Sequence, residues 1–174
     1  MRRIIATAVM LLVLPTLALA QNTDRQYRCQ GYFFFGLGTG SVYVSRQVIE
    51  QVGFGGEGFL YKGFGVGGDA GYAHWGGSEQ SSHQAWIAAG DVSYHFRRSA
   101  ALGRVDPFVL AGATGFFPTS EGRGAPAGNF GGGANIWLGQ RAALRLEVRD
   151  YVNPENNDYP GANYVSFRIG LTFR

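Results

Sequence analysis

From about residue 30 to the C-terminus, apolar and polar side chains alternate with a period of two, the pattern of β-strands that differ between their two faces. The last segment shows it most plainly. Val165, Phe167, Ile169, Leu171 and Phe173 fall on one face, with Ser166, Arg168, Gly170, Thr172 and Arg174 on the other. Before it, Ala142, Leu144, Leu146 and Val148 oppose Ala143, Arg145, Glu147 and Arg149. Further upstream, Trp86, Ala88, Gly90, Val92, Tyr94 and Phe96 alternate with Ala85, Ile87, Ala89, Asp91, Ser93 and His95. Residues 127–138 set Phe130, Gly132, Ala134, Ile136 and Leu138 against Asn129, Gly131, Gly133, Asn135 and Trp137. Residues 106–117 are apolar on both faces, Val109, Ala111, Ala113 and Gly115 being the smaller set. Residues 64–75 set Val66, Ala70 and Tyr72 against Gly67, Asp69, Gly71 and Ala73. Residues 51–62 carry Glu57 among glycines, and 31–38 form a short first strand. The pattern predicts eight antiparallel strands, or ten if a long loop is itself extended, for example at Ser41 to Val44. Glycine recurs too often for a stable helix, since each costs about 1 kcal/mol relative to alanine.

The connections alternate in length. Tight joins fall at Lys62-Gly63 and at Leu138-Gly139-Gln140-Arg141, with a moderate one at 97–105. Longer polar segments fall at 39–50, 76–83, 118–126 and 152–163. Outer-membrane barrels have this asymmetry, with short periplasmic turns and longer external loops. An N-terminus in the periplasm puts every long segment outside.

Residues 1–20 read separately. Arg2 and Arg3 precede an apolar run from Ile4 to Leu14, and Ala18-Leu19-Ala20 supplies small residues for a signal peptidase. A cleaved signal peptide is expected, ending before Gln21, which leaves 21–174 as one barrel domain. The apolar run is shorter than the roughly 20 residues a spanning helix needs. Without Arg2 and Arg3, acidic and basic residues nearly balance, which removes any electrostatic case for nucleic acid. The single Cys29 excludes an internal disulfide.

Composition then decides which face meets lipid. A soluble barrel would expose the polar faces, yet Lys62 is the only lysine and charged residues are 16% of the chain, against about 25% in soluble domains. Those faces are mostly Gly, Ala, Ser and Asn, sizes that fit the interior of an eight-stranded barrel. Tyr72, Trp86, Phe96, Phe116 and Phe173 lie near expected strand ends, where interfacial aromatic girdles are expected. The expected fold is therefore all-β: a closed antiparallel transmembrane β-barrel of about eight strands with its apolar faces outward.

Several segments carry a resemblance. They are Gly55-Gly56-Glu57-Gly58-Phe59-Leu60-Tyr61-Lys62-Gly63 and Gly65-Val66-Gly67-Gly68-Asp69-Ala70-Gly71-Tyr72. The closing half adds Phe130-Gly131-Gly132-Gly133-Ala134-Asn135, Leu144-Arg145-Leu146-Glu147-Val148-Arg149-Asp150 and Phe167-Arg168-Ile169-Gly170-Leu171-Thr172-Phe173. The chain resembles the small outer-membrane β-barrel domains of the OmpA/OmpX type over nearly all of 21–174. That resemblance implies a structural anchor, adhesin or small pore. It also implies an assembly signal at the end of the last strand, here Phe167, Ile169, Leu171 and Phe173, with Arg174 one residue beyond. Expected partners are outer-membrane lipid and lipopolysaccharide, the barrel-assembly machinery and periplasmic chaperones, and a surface ligand on the external loops.

Candidate chemistry is limited. Glu57, Asp69, Asp91, Arg145, Glu147, Arg149 and Arg168 fall on the inner face, where four acids and three arginines should pair, since an uncompensated buried charge costs several kcal/mol. They are expected to form a lumen polar network that plugs the barrel, the alternative being a gated ion path. His74 is expected outward near an external loop, His83 in a loop and His95 inward near the periplasm, with no zinc-like spacing among them. A lipid-modifying barrel enzyme would need a nucleophile and a base together at the outer rim. Ser78, Glu79, Ser81, Ser82 and His83 share one expected loop, a composition common to exposed loops. Gly131-Gly132-Gly133 and Gly65-Val66-Gly67-Gly68 lack the lysine and helix of a phosphate loop. No catalytic residue, metal or cofactor is expected. Loops 118–126 and 152–163, the latter with Tyr159, are the expected binding surface.

Overall fold

The computed structural model describes residues 28–42, 45–76, 83–96, 104–119, 124–153 and 162–174. The expected signal peptide at 1–20 lies outside them, as do Ser78, Glu79, Ser81, Ser82 and Tyr159. Eight strands follow one another in the chain: β1 (Cys29–Val42), β2 (Ser45–Tyr61), β3 (Phe64–Gly76), β4 (His83–His95), β5 (Val105–Pro118), β6 (Ala125–Trp137), β7 (Ala142–Asn153) and β8 (Ala162–Phe173). Each pairs antiparallel with its neighbours, and β1 pairs with β8 from Gly31↔Phe173 to Val42↔Ala162, closing the barrel. No strand edge is left without a partner strand. In hydrocarbon that is a requirement, because lipid offers backbone N–H and C=O groups nothing to bond.

The tightest turn joins β2 to β3. Lys62 (φ 41°) and Gly63 (φ 101°) both adopt positive φ, the type I′ geometry whose twist matches a two-residue hairpin. Only glycine suits the second position, because a Cβ on Gly63 would run into the carbonyl of His95.

Period-two burial follows each strand. Along β8, Tyr164, Ser166, Arg168, Gly170 and Thr172 are buried in the lumen. On the same strand Val165, Phe167, Ile169 and Phe173 are exposed on the exterior, as Phe33, Phe35 and Leu37 are on β1. A continuous apolar exterior of this extent on a sheet whose inner face is charged is the surface of a membrane barrel.

Three expectations need correction. Residues 39–50 are not a loop: β1 and β2 pair as far as Val42↔Ser45, so only 43–44 separate them. The run Val42-Tyr43-Val44 has high β-propensity, and its polar neighbours were misread as loop residues. The extension lengthens two strands and adds none, so the count stays at eight. Phe116 is not part of a girdle, since it is buried inside the barrel. Strand β5 turns Phe108, Leu110, Thr114 and Phe116 inward, and the smaller set Val109, Ala111, Ala113 and Gly115 faces out or lies at the wall. His83 opens β4, paired with Trp75, and is not in a loop. The remaining girdle candidates, Tyr72, Trp86, Phe96 and Phe173, do sit on exterior positions.

Leu146 takes an exterior position on β7 between Ala134 and Ile169. Leu146→Arg should cost about 2–4 kcal/mol if that position faces mid-bilayer lipid. Urea titration in lipid vesicles measures this, and unchanged stability would move Leu146 out of the lipid-facing band.

Candidate functional site

The lumen is filled in three layers. At the end where β1 joins β2, the end expected to be external, an apolar layer spans it, built from Ile49, Ala73, Ile87, Phe116, Ala127, Tyr151 and Tyr164, with Trp75 packed against them. Tyr151 and Tyr164 stack with ring centroids 4.5 Å apart, and Phe116 meets both edge-on at 5.8 and 5.4 Å. These rings leave little room for solvent across the layer.

Below lies the ionic layer. Arg145 donates from Nε and Nη2 to Glu147 Oε2 at 3.0 and 2.8 Å. Arg149 donates from Nε to Glu147 Oε1 at 2.7 Å, and its Nη1 lies 3.0 Å from both Asp69 Oδ2 and Asp91 Oδ2. Arg168 Nη1 reaches Asp69 Oδ2 at 3.1 Å and Glu147 Oε1 at 3.6 Å, while its Nη2 donates to Tyr151 Oη. Gln51 Oε1 accepts from Arg168 Nε and Ser166 Oγ, both at 3.2 Å. Three guanidinium groups thus meet three carboxylates, which leaves the layer neutral as a unit. Aromatic faces hold two of the arginines in place: Arg145 lies over Tyr32 and Phe108, at 4.3 and 4.1 Å, and Arg168 over Phe34 at 4.0 Å.

The third layer, at the periplasmic end, centres on His95. Its Nδ1 is 3.0 Å from Asp106 Oδ2, and its Nε2 is 3.1 and 3.2 Å from the two oxygens of Glu57. A carboxylate thus faces each ring nitrogen, and both nitrogens can donate when the ring is protonated. Gln30 Nε2 donates to Glu57 at 2.8 Å, and Ser93 Oγ also donates to that carboxylate. Phe108 stacks on the ring and Phe59 meets it edge-on, at 5.2 and 5.0 Å. Between the two polar layers, a cavity beside Tyr32, Glu57, Asp91, Ser93, Leu110 and Arg145 has room for about one water.

All seven inner-face residues expected from the sequence are buried in the lumen. Six form the ionic layer, and Glu57 sits apart with His95. Sequence reasoning missed Asp106, Gln51 and the three tyrosines. Tyr151 and Tyr164 continue the parity of Arg149 and Ser166, so extending each face by one step would have found them. Asp106 could not be placed while β5 read as apolar on both sides. His74 lies on the exterior, 4.0 Å from Glu50. Among the described residues, no group of three or more His, Cys, Asp or Glu side chains could hold a metal ion. Leu171, Ile169 and Phe167 line the exterior of β8 with Phe173, whose ring stacks on Phe33 at 6.1 Å. Arg174 turns back over the Trp137 ring at 3.6 Å and donates from Nε to the Gln140 carbonyl at 2.9 Å.

Arg149 touches three carboxylates and is fully buried. Arg149→Met should cost about 3–5 kcal/mol, because the acids lose their shared partner. Urea unfolding followed by tryptophan fluorescence measures it, and a loss below about 1 kcal/mol would mean that the layer is not coupled through this residue.

No family model and no curated protein sequence matches the chain. Solved structures do match. Neisserial surface protein A aligns over 83% of this chain and 96% of its own, with a TM-score of 0.67 at 8% identity. Ail, the attachment invasion locus protein of Yersinia pestis, solved with the heparin analogue sucrose octasulfate, aligns over 84% and 97%, with a TM-score of 0.59 at 13% identity. The outer membrane enzyme PagL aligns over 80% and 97%, with a TM-score of 0.56 at 15% identity. At such identities the likeness is one of fold, and it carries no catalytic or ligand-binding residue onto this chain. The chain has the fold of the small eight-stranded outer-membrane barrels, the architecture of the OmpA/OmpX type.

Proposed function

We propose that the chain is an integral outer-membrane barrel with a structural or surface-binding role, exported by a signal peptide at 1–20. The lumen serves as a fixed core in this reading, and work is done on the exterior and at the external end. One observation carries it: the apolar layer around Phe116, Tyr151 and Tyr164 spans the lumen above a charge-balanced ionic layer. An ion entering from outside would first cross aromatic rings and then separate paired charges in a low dielectric, each step costing several kcal/mol. That argues against the alternative of a small-solute or ion pore.

Conductance in a planar bilayer tests this. The refolded, inserted barrel should be silent. So should a Glu147→Gln/Arg149→Gln variant, which removes one charge of each sign and leaves the aromatic layer intact. Discrete channels in the unaltered protein would overturn the closed-lumen reading.

The exterior row Phe167, Ile169, Leu171 and Phe173 is proposed as the signal read by the assembly machinery. The inward turn of Arg174 supports this reading, because it leaves Phe173 as the last lipid-facing side chain. Phe173→Ala should lower the folded fraction in the outer membrane and raise periplasmic degradation products, seen by heat-shifted gel mobility. Normal insertion of that variant would remove Phe173 from the signal.

A further inference from the structure

The exterior of β2 to β5 is graded in polarity, and its tiers follow from the strand register. Nearest the external end, Glu50 pairs with His74 and His74 with Gln84. Exposed Thr119 extends this polar row, its N–H donating to the Gln84 carbonyl at 3.0 Å. One rung further into the membrane, Val52 pairs with Tyr72, Tyr72 with Trp86 and Trp86 with Phe117. The two rows are joined, since Tyr72 Oη donates to Gln84 Oε1 at 2.5 Å and the Tyr72 and Trp86 rings meet edge-on at 5.3 Å.

Below this aromatic shelf the wall becomes bare. Ala70 pairs with Ala88, Gly68 with Gly90, and Gly90 with Ala113. Phe54 on β2 flanks Ala70, and Val66, Val92 and Phe130 line the side towards the β2–β3 turn, while the bare row itself runs on through Gly56 and Gly31 on one side and Gly128 on the other. A Cβ built on Gly90 meets nothing within 4 Å, so the floor opens directly to the surroundings. The bare row runs from β1 to β6, a groove of roughly 24 Å at the usual strand spacing. On β7 and β8, by contrast, Leu144, Leu146, Val165, Phe167, Ile169 and Leu171 place large apolar side chains on the exterior.

We infer that this face binds one glycolipid of the external leaflet, with its sugar headgroup on the Glu50–His74–Gln84–Thr119 row and an acyl chain in the groove. The inference rests on the reading of the chain as an outer-membrane barrel with β3–β4 emerging outside. Carboxylate, imidazole, amide and hydroxyl together offer both donors and acceptors, the set that sugar hydroxyls require. The exposed Trp86 face supplies the apolar surface on which a sugar ring or first methylenes lie. Glu50 stands against a single histidine, so this row reads sugar hydroxyls and leaves a phosphate on the same headgroup to solvent. The shape selects against a second copy of the barrel. Two convex walls meet poorly along a groove that lies below Trp86 and Phe117, whereas a flexible chain can lie in it.

Trp86 makes the site readable. In a Trp75→Phe/Trp137→Phe background it is the only tryptophan, and brominated phosphatidylcholine vesicles will quench it. Purified lipid A added in trace amounts should restore its fluorescence with about tenfold preference over its mole fraction. Gly90→Leu, which fills open space without touching the fold, and His74→Ala should each abolish the preference while leaving barrel formation intact. Recovery that follows mole fraction, or preference unchanged in both variants, overturns the site. So does equal recovery with phosphatidylglycerol, or a barrel-to-barrel crosslink through Cys substituted at Ala88. Failure of the underlying reading is seen separately: an impermeant maleimide would then label Cys29, at the opposite end of the barrel, in intact cells.

Discussion

Closure of the backbone is the constraint from which the rest of this molecule follows. A sheet in lipid cannot leave an edge, so β1 must find β8, and eight strands then fix a lumen that side chains almost fill. Inside such a lumen every charge faces another protein group. The arginines of β7 and β8 therefore reach across to carboxylates from β3 and β4, and the pairing ties opposite walls together. A buried ion pair is weak evidence for net stability, because desolvation offsets much of the attraction. Its effect here is on specificity. A shift of β7 by one residue would carry Arg145, Glu147 and Arg149 together into lipid.

The same constraint explains what could be read from the chain. Strands β4, β7 and β8 were legible because their two faces differ in polarity and one face cannot change places with the other. Strand β5 was not, since both its faces are apolar and only the neighbouring register decides that Phe108 and Phe116 turn inward. Size was the wrong guide there. The external end of this lumen takes large rings, while its exterior neighbours are alanine and glycine. The β1–β2 hairpin was misread for a related reason. Near this end of β2 the lumen face carries both Ile49 and Gln51 and the exterior both Val48 and Glu50, so residues 48–51 lose the alternation that marks a strand deeper in lipid.

The candidate site divides in the same way. Charged lumen residues were identifiable by parity alone, but their grouping was not. Glu57 shares its face with Asp69 and Asp91 yet belongs with His95, because the register places it beside the periplasmic end and brings Asp106 from β5 to the other side of the ring. A histidine between two carboxylates offsets at most one of them, whereas three arginines match three acids in the layer above. One acid more than the bases remains, and Asp106, the least buried of the five, carries it near the periplasmic mouth.

Layering also decides where function can reside. On the proposed reading, a lumen crossed by aromatic rings at one end and by ion pairs through its middle offers a solute no path among the described residues. What remains is the exterior, where most of the wall is uniformly apolar. Uniform apolar surface solvates the barrel in any lipid and distinguishes none. Selectivity needs a departure from that uniformity, and the departure lies on β2 to β5. There an ionisable pair faces outward beside Tyr72 and Trp86, above a floor of alanine and glycine. Large side chains could have covered the floor, as they do on β7 and β8. Bare wall under a polar row is a shape that one amphiphile completes.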